Sequence, residues 1–465
     1  MDWFIGFCFV KALHILRCII ETANTTVTYP FAMELINVKK CNIPIGEKIK
    51  QVREAKKWSQ DALGFEIDYS RSTIYLVESG SQACSSGMLH DIRRVLGVED
   101  LPLTEPERES FREKLNYLYK LIKSNELDEA KEELDKLSVI TYLPLDKELN
   151  TLYNLFKARI LFKQKDVDAA ETILAGLDFS VIEHDNEAKY PYYISKGALC
   201  CKSGNYKDGL DYYLKVREVT QGGFEENQLI YYTIACCFHE LGYASDCISF
   251  IEENCKPRPI KQATLTIFGL EYLLAKNYIR VERIKRAKKS LANCLEMAKS
   301  IGDELYIGST FVDYAYLYRL CGDCMTALSY IRKAFHHLQE GTTPFLEAFY
   351  QKTRCYIEIE SLATSKKLLA KGKELSQNNE TYSILFECLG HLMTLKESES
   401  LQYLEEVAIP YFLKTNEKDA LFDFCIILQK QYVMGKGSMR KQLYVERIIS
   451  GIYKERMGGG VDYEE

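Results

Sequence analysis

The sequence predicts an all-α protein in which a small N-terminal helical bundle precedes a long array of helix pairs. Two observations lead to this prediction. Apolar residues between positions 58 and 80 recur at helical spacing on both sides of a short turn, and turn residues then recur every 38 to 40 positions. Hydrophobic residues make up 47% of the 465 residues, which is enough for sizeable cores in several domains.

The first helix of the predicted bundle covers residues 60–67. Ser59 suits its N-cap, because its hydroxyl can accept a hydrogen bond from an exposed backbone N–H of the first turn. Leu63 and Ile67 then lie on one face. The next two residues make a tight turn.

A second helix begins near Ser70 and ends at Gly80, which suits a left-handed C-terminal cap. Ile74 and Val77 form its buried face. A short second helix with small polar donors and an arginine near its N-terminus fits the major groove of DNA. Its outer face carries Arg71, Ser72, Thr73 and Tyr75.

Residues 45–98 resemble the Cro/repressor-like (XRE) helix-turn-helix family. Two departures are Gly64, where the family favours alanine, and the lack of a proline after Gly80. The family pattern is matched by Ile45, Gly46, Ile49, Arg53, Ser59, Gln60, the run from Ser70 to Ile74, Glu78 and Gly80.

The resemblance implies a role for each matched polar residue. Gln60 would bind a phosphate and brace the recognition helix, and Arg53 and Glu78 would form an internal ion pair. Arg71 is the best candidate for a bidentate contact to guanine. The remaining base and phosphate contacts would be shared by Ser70, Ser72, Thr73 and Tyr75. The alternative is that these side chains are only a solvated helix face.

Charge restricts how this domain could bind DNA. Residues 44–98 hold eight basic and seven acidic side chains, and the whole chain has a net charge of −6 and a pI near 5.9. DNA affinity would therefore depend on specific contacts and on dimerisation, and we expect a homodimer. The acidic remainder suits protein or peptide partners. Sixteen scattered cysteines suit free thiols in a reducing cytoplasm.

The two ends of the chain differ from the rest. Residues 1–32 are apolar but interrupted by charged side chains, so they make a poor signal peptide and a poor membrane span. Either they form an amphipathic helix, or translation begins at Met33, which we favour; no stable membrane association is expected. Residues 457–465 are expected to be a disordered tail.

Residues 101–109 read as a linker. Thr104 and Glu107 form a capping box, and Pro106 falls in the first turn of the helix that follows. The sequence thus predicts a DNA-binding domain at residues 33–100 and a repeat domain at residues 110–456.

Each repeat is predicted to be a helix hairpin. The turn positions are Asn125, Lys165, Gly204, Gly242, Glu282, Gly322 and Glu360. Five residues after each turn comes a small residue that lets two helices approach closely: Ala130, Ala170, Gly209, Cys247, Ala287, Ala327 and Ser365. Four residues further on, a bulky residue fills the space between neighbouring pairs: Leu134, Leu174, Tyr213, Ile251, Leu291, Ile331 and Leu369.

These hairpins resemble tetratricopeptide repeats, which implies a tetratricopeptide-like right-handed helical superhelix with a concave groove lined by the first helix of each pair. A Cro/repressor-like domain followed by such an array resembles the peptide-pheromone-responsive regulators of Gram-positive bacteria and their phages, the RRNPP family. That likeness implies a cytoplasmic homodimer that binds double-stranded operator DNA and a short signalling peptide.

The groove positions predict a peptide-binding site. Tyrosines alternate with cations there, which suits an extended peptide with an acidic group or a free carboxylate. A register error of one position would instead turn these residues into the core or into solvent. The predicted peptide-binding residues are Arg159, Asn227, Tyr232, His239, Tyr272, Lys276, Asn277, Tyr316, Arg319, Tyr350 and Arg354.

No catalytic motif stands out, so we expect neither an enzyme nor a bound cofactor. Cys321 and Cys324 have the spacing of a metal or redox pair, but they lack a second pair at ligand spacing, and no metal is expected. Two hypotheses remain. One is a peptide-gated transcription factor; the other is an interaction scaffold or phosphorelay antagonist that uses the helix-turn-helix mainly for dimerisation.

Overall fold

The computed structural model describes residues 45–96, 105–138, 146–220, 223–224, 227–255, 264–393, 398–436 and 438–458. The apolar extension at 1–32, the first part of the linker and the end of the tail lie outside these residues. Within the described ranges every regular element is a helix, which confirms the all-α prediction. The chain divides into two compact units between residues 199 and 200.

Within residues 45–96, the N-terminal bundle has four short helices around one apolar core. The predicted N-cap is present, since Ser59 Oγ accepts a hydrogen bond from the backbone of Ala62. Ser70 Oγ caps the next helix in the same way by accepting one from Thr73. The helices are α1 (Ile45–Ala55), α2 (Gln60–Glu66), α3 (Arg71–Glu78) and α4 (Ser86–Leu96). The buried core side chains are Ile49, Leu63, Ile67, Ile74, Val77, Met88, Leu89, Ile92 and Leu96.

The first unit continues with the early repeat helices. Helix α5 begins at Glu105, inside the predicted linker. Pro106 therefore lies in its first turn, as expected. The helices are α5 (Glu105–Ser124), α6 (Leu127–Ser138), α7 (Lys147–Lys163), α8 (Val167–Ala175) and α9 (Asn186–Lys202), with a short 3₁₀ turn at Phe179–Val181. The boundary between the units falls near the end of α9.

The second unit holds the remaining hairpins. Successive first helices pack on one another, as α11 does on α13 and α15 on α17. The helices are α10 (Tyr206–Val219), α11 (Gln228–Glu240), α12 (Ala244–Asn254), α13 (Leu265–Arg280), α14 (Ile284–Ile301), α15 (Glu304–Leu320), α16 (Cys324–Phe335), α17 (Thr343–Glu358), α18 (Leu362–Leu375), α19 (Glu380–Leu392), α20 (Ser398–Tyr403), α21 (Ile409–Thr415), α22 (Lys418–Gln431) and α23 (Met439–Arg456).

The turns of the repeats follow the predicted pattern. All of the aligned turn positions have a positive φ, from 57° at Glu360 to 79° at Gly322. A positive φ turns the chain out of the first helix and lets the second one begin at once. Several of these positions are not glycine, and a left-handed backbone conformation costs free energy for such residues. The tertiary fold therefore imposes the turn there.

The predicted small residues lie at the helix contacts. Ala130, Ala170, Ala287 and Ala327 have no exposed surface, and the same holds for Cys247. The bulky positions are also buried, except that Leu369 keeps partial exposure. Close approach between paired helices therefore explains why small residues recur at this spacing.

The last helices extend the array to Arg456. A large core joins α17 and α19 to α22 and α23, with Phe386, Phe412 and Phe424 fully buried. Short π-helical segments follow α20 at Leu404–Ala408 and α22 at Tyr432–Lys436. In the part of the chain that the structure describes, no helix combines the length and the apolar character needed to cross a membrane.

We expect Gly322→Ala to lower the free energy of unfolding by about 1 kcal/mol, because an L-residue is disfavoured at its φ of 79°. An added Cβ there meets nothing within 4 Å, so the backbone alone causes the loss. Urea unfolding of the purified protein measures it. Gly451→Ala, which also has open space but lies inside α23, is the matched control and should be neutral or stabilising.

Candidate DNA-binding and peptide-binding sites

A buried ion pair supports the recognition helix α3. Arg53 donates from Nε to Glu78 Oε1 at 2.6 Å and from Nη2 to Oε2 at 2.9 Å, and both side chains are almost fully buried. The hydrogen bond to Glu78 raises the pKa of Arg53. Arg53 Nη1 also donates to the backbone carbonyl of Trp58 at 2.7 Å, which ties α1 to the chain entering α2.

Gln60 belongs to the same network. Its Nε2 donates to Glu78 Oε2 at 2.7 Å, so its amide braces the end of α3 from the start of α2. A phosphate contact by Gln60 stays a prediction. The network fixes the position of α3 relative to α1 and α2, which is the condition for presenting side chains in a set geometry.

The N-terminal half of α3 presents an exposed polar surface. Arg71 is 68% exposed, and its guanidinium lies 3.5 Å from the Asp61 carboxylate, which is 67% exposed. Ser72 and Tyr75 are exposed as well. A shallow concavity forms there, lined by Gln60, Arg71, Ser72, Tyr75 and Leu76.

Two of the predicted contact residues are already engaged with each other. Ser70 Oγ accepts from the backbone of Thr73 at 3.1 Å, and the two hydroxyl groups are 2.8 Å apart. In this structure these two residues therefore form the N-terminal cap of α3. Arg71, Ser72 and Tyr75 are the side chains that the structure leaves directed at solvent.

Gly64 is explained by the tightness of the turn between α2 and α3. A Cβ at this position would lie 2.5 Å from the backbone oxygen of Tyr69. Tyr69 N also donates to Gly64 O at 2.8 Å, and Asp68 has a φ of 59°. The departure from the alanine that the family favours is thus a consequence of this turn. Gly46 similarly allows α1 to approach the backbone of Val77.

We expect Gly64→Ala to destabilise the bundle by about 1–3 kcal/mol, because backbone atoms would have to shift to accommodate the methyl group. Thermal unfolding followed by circular dichroism measures the loss. The matched control is Gly87→Ala in α4, where a Cβ meets nothing within 4 Å and should not destabilise. Equal effects of both substitutions would contradict this explanation of the turn.

In the second unit, basic side chains lie at or near the C-terminal ends of successive first helices. These are His239 on α11, Arg280 on α13, Arg319 on α15 and Arg354 on α17. The sequence analysis identified three of them and missed Arg280. Helix α22 meets them with two acidic side chains, Asp419 and Asp423, that stand one helical turn apart and were not predicted to take part.

We define the Asp419 cluster as His239, Asn277, Arg280, Asp419 and Arg456. Arg280 donates to the Asp419 carboxylate from Nε at 3.1 Å and from Nη2 at 2.8 Å, and Arg456 donates to it at 3.0 Å. Arg280 Nη1 also donates to the backbone carbonyl of His239 at 2.7 Å. Desolvation raises the pKa of Asp419, but the two guanidinium groups stabilise the carboxylate more strongly, so its pKa is lowered overall.

His239 and Asn277 are buried polar residues of the Asp419 cluster. His239 Nδ1 is 3.2 Å from Asn277 Oδ1, and Asn277 Nδ2 donates to the backbone oxygen of Leu273 at 2.8 Å. Burial and the neighbouring Arg280 lower the pKa of His239 well below its usual range, so the imidazole is neutral. The groove prediction treated both residues as surface groups, and the structure instead buries them.

We define the Asp423 cluster as Arg319, Tyr350, Gln351, Arg354, Glu358 and Asp423. Arg319 donates to Gln351 Oε1 and to Glu358 Oε1, both at 2.8 Å. Arg354 donates to Glu358 Oε1 at 3.2 Å and to the Tyr350 hydroxyl at 3.2 Å. Asp423 Oδ2 is 3.6 Å from a guanidinium nitrogen of each arginine.

The tyrosines of the predicted site are placed differently from one another. Tyr232 is buried and packs against Gly269, where an added Cβ would lie 2.5 Å from the ring. Burial raises the pKa of Tyr316, and the Arg319 guanidinium stands over its ring. Tyr272 and its neighbour Lys276, whose ammonium lies 5.4 Å from that ring, keep partial exposure, as does Asn227.

Arg159, another predicted peptide-binding residue, belongs to the first unit and lies on α7. Its Nη1 is 3.4 Å from Ser195 Oγ, and its buried Nε has no hydrogen-bond partner. Burial, together with the charge of Arg159, lowers the pKa of Lys163 to about 8. Lys163 donates to the backbone oxygen of Ile122 at 2.6 Å and thus caps the C-terminus of α5.

The cysteine pair has a local structural setting. Cys321 is exposed, whereas Cys324 is buried and its thiol lies 3.3 Å from Glu358 Oε2. Among the residues that the structure describes, no three His, Cys, Asp or Glu side chains are grouped as metal ligands.

Glu417, at the start of α22, is a partly buried carboxyl group among other acids. Burial and the charges of Glu240, Asp419 and Glu347 raise its pKa to about 7. The charge of Arg280 has the opposite but smaller effect. In the folded protein this group thus keeps a proton that the unfolded chain releases near pH 4.5. Stability should therefore fall as pH rises between these two values.

We expect Glu417→Gln to raise the free energy of unfolding at pH 8 by on the order of 2 kcal/mol and to change it little near pH 5, where the carboxyl is still protonated. Urea unfolding at the two pH values measures this difference. Glu399→Gln removes the same charge from an exposed position and is the control. A pH-independent effect of Glu417→Gln would contradict the assigned shift.

The geometry defines a class of protein: a helix-turn-helix domain together with a helical-repeat domain in which basic side chains meet two carboxylates of α22. Comparison with protein families agrees, since residues 44–105 match the model of a helix-turn-helix domain. The regulatory protein RapD of Bacillus subtilis (strain 168) is 24% identical over 339 residues, which cover 69% of this chain and 92% of RapD.

Solved structures share the repeat fold. The apo form of the quorum sensor NprR from B. thuringiensis is 19% identical, covers 74% of this chain and 99% of its own, and superposes with a TM-score of 0.51. A Rap protein complexed with Competence and Sporulation Factor is 16% identical, covers 75% and 98%, and has a TM-score of 0.53. The predicted resemblance to RRNPP regulators is thus confirmed; at these identities, the structural likeness concerns the fold.

Proposed function

We propose that this protein is a DNA-binding transcriptional regulator whose repeat domain binds a short signalling peptide and thereby controls operator binding. The observation that carries the proposal is the exposed surface of α3. Arg71, Ser72 and Tyr75 project from a helix that the buried Arg53–Glu78 pair holds in place. Exposed polar donors on a rigid helix are what direct readout of base edges requires.

The basic residues of the second unit support the peptide part of the proposal. Arginines from three successive first helices come close to the carboxylates of α22, so the unit already accommodates acidic groups there. The fold is also that of NprR, one structure of which is described as a complex with its cognate peptide NprX, with 21% identity and a TM-score of 0.52. A homodimer in the cytoplasm would supply two DNA-binding heads.

Two observations favour the second hypothesis. The similarity to RapD extends over 69% of the chain, and the bundle has almost equal numbers of basic and acidic residues. On that hypothesis the repeat domain acts on a protein partner, as a scaffold or a phosphorelay antagonist, and the helix-turn-helix serves dimerisation. Catalysis by this chain is not proposed, since no described group suggests it.

The test is binding of the full chain to the DNA upstream of its own gene. We expect Arg71→Ala to weaken specific binding by about 10- to 100-fold, because a bidentate arginine contact contributes about 1–3 kcal/mol of discrimination. Fluorescence anisotropy over a salt series measures both affinity and the number of phosphate contacts.

Arg94→Ala is the matched control. Arg94 on α4 is 66% exposed and lies 3.5 Å from a carboxylate, so it resembles Arg71 in exposure and pairing. We expect its loss to change affinity less than about threefold. Equal affinity of wild type and Arg71→Ala for upstream and random DNA would refute DNA readout and favour the protein-partner hypothesis.

A further inference from the structure

One guanidinium nitrogen of a buried arginine in the Asp423 cluster lacks a hydrogen bond. The Arg319 side chain is only 4% exposed, yet its Nη2 has no hydrogen-bond partner. Asp423 Oδ2 lies 3.6 Å from this nitrogen, which is too far for a hydrogen bond. An unsatisfied donor on a buried guanidinium is costly, so this position favours a better-placed acceptor.

Asp423 is equally distant from the second arginine. Its Oδ2 is also 3.6 Å from Arg354 Nη1, whereas Glu358 accepts hydrogen bonds from both guanidinium groups. Two positive charges thus face one well-bonded carboxylate and one loosely placed carboxylate. Asp423 thus helps to balance the positive charge of Arg319 and Arg354 without accepting a hydrogen bond from either.

The other acidic residue of α22 behaves differently. Asp419 receives hydrogen bonds of 2.8 to 3.1 Å from Arg280 and Arg456. The two carboxylates share one face of the helix, but only Asp419 is firmly held. A ligand can therefore displace the Asp423 carboxylate from the two arginines while the contacts of Asp419 with Arg280 and Arg456 hold α22 in place.

We propose that Arg319 and Arg354 form a binding site for a ligand carboxylate, which Asp423 occupies in the unliganded protein. The ligand carboxylate replaces Asp423 and accepts a hydrogen bond from Arg319 Nη2, so the charge balance is kept and the unsatisfied donor gains a partner. The carboxylate belongs to a short peptide, either as its C-terminus or as an Asp or Glu side chain. This inference rests on the proposed peptide-binding function.

A first experiment tests the carboxylate site without a peptide. Asp423→Ala removes the internal carboxylate, and acetate is then compared with chloride at equal ionic strength by thermal unfolding of the full chain. We expect acetate to raise the Tm of Asp423→Ala more than that of wild type or of the exposed control Glu399→Ala. If Asp423→Ala does not fold, Asp423→Asn, which keeps the side-chain volume, takes its place. An identical response of all variants would overturn the proposal.

A second experiment identifies the source of the carboxylate. Random hexapeptides are offered in three forms: free C-terminus without Asp or Glu, amidated with one Asp or Glu, and amidated without either. We expect the full-length protein to retain one acid-bearing form, and Asp423→Asn to bind it about tenfold more tightly, because the internal competitor is weakened. The control Glu399→Gln should bind like wild type.

The outcomes separate the two proposals. Retention of peptides without preference for an acidic group, and without an effect of Asp423→Asn, overturns the carboxylate site and leaves peptide binding standing. Retention of no peptide, combined with acetate stabilisation of Asp423→Ala, supports the carboxylate site and refutes peptide binding. Retention of one acid-bearing form shows whether the C-terminus or a side chain provides the carboxylate.

Discussion

Arginine side chains that are buried or mostly buried in the second unit need carboxylate partners, and this requirement determines where the C-terminal helices pack. Arg280 is paired with Asp419, which lies 139 residues further along the chain. A buried guanidinium without a partner would be strongly destabilising, because its desolvation would not be offset. Helix α22 brings the carboxylate, and α23 adds Arg456 to it. The repeats and the last helices of this unit are thus joined by charge as well as by apolar packing.

Much of the fold could be predicted because its determinants are local. The turns at Gly204 and Glu360, the small residues at Ala130 and Ala327, and the cap at Ser59 each depend on a few neighbouring positions. The roles of Asp419 and Asp423 could not be predicted in this way. In the sequence they look like any acidic pair on a solvated helix face, and only the tertiary fold brings them to basic residues that lie much earlier in the chain.

The same distinction explains where the predicted site residues lie in the structure, while their roles in binding stay predictions. Around α3 the predicted residues are where the pattern indicated, since a two-helix motif fixes its own register. In the repeats, the positions of Arg319 and Arg354 were identified but their burial was not. His239 and Asn277 turned out to be covered, because helical spacing alone does not show which face another element will cover. A histidine on a helix face thus looked like a surface group although its imidazole is neutral and buried.

DNA and peptide, the two proposed ligands, would bind arginines that differ in burial and in the strength of their internal ion pairs. Arg71 pairs with Asp61 in solvent, a contact worth little, so a phosphate or a guanine could replace it at low cost. Arg319 and Arg354 are buried, and a ligand there has to displace Asp423 and pay its own desolvation. A ligand can shift a conformational equilibrium only by its difference in affinity between two states. Because Asp423 is loosely held and Asp419 is firmly held, the difference in peptide affinity would arise at Asp423. If the two sites are coupled, DNA must change peptide affinity by the same factor by which peptide changes DNA affinity. The weaker contact at Asp423 is therefore where the physical basis of such coupling should lie.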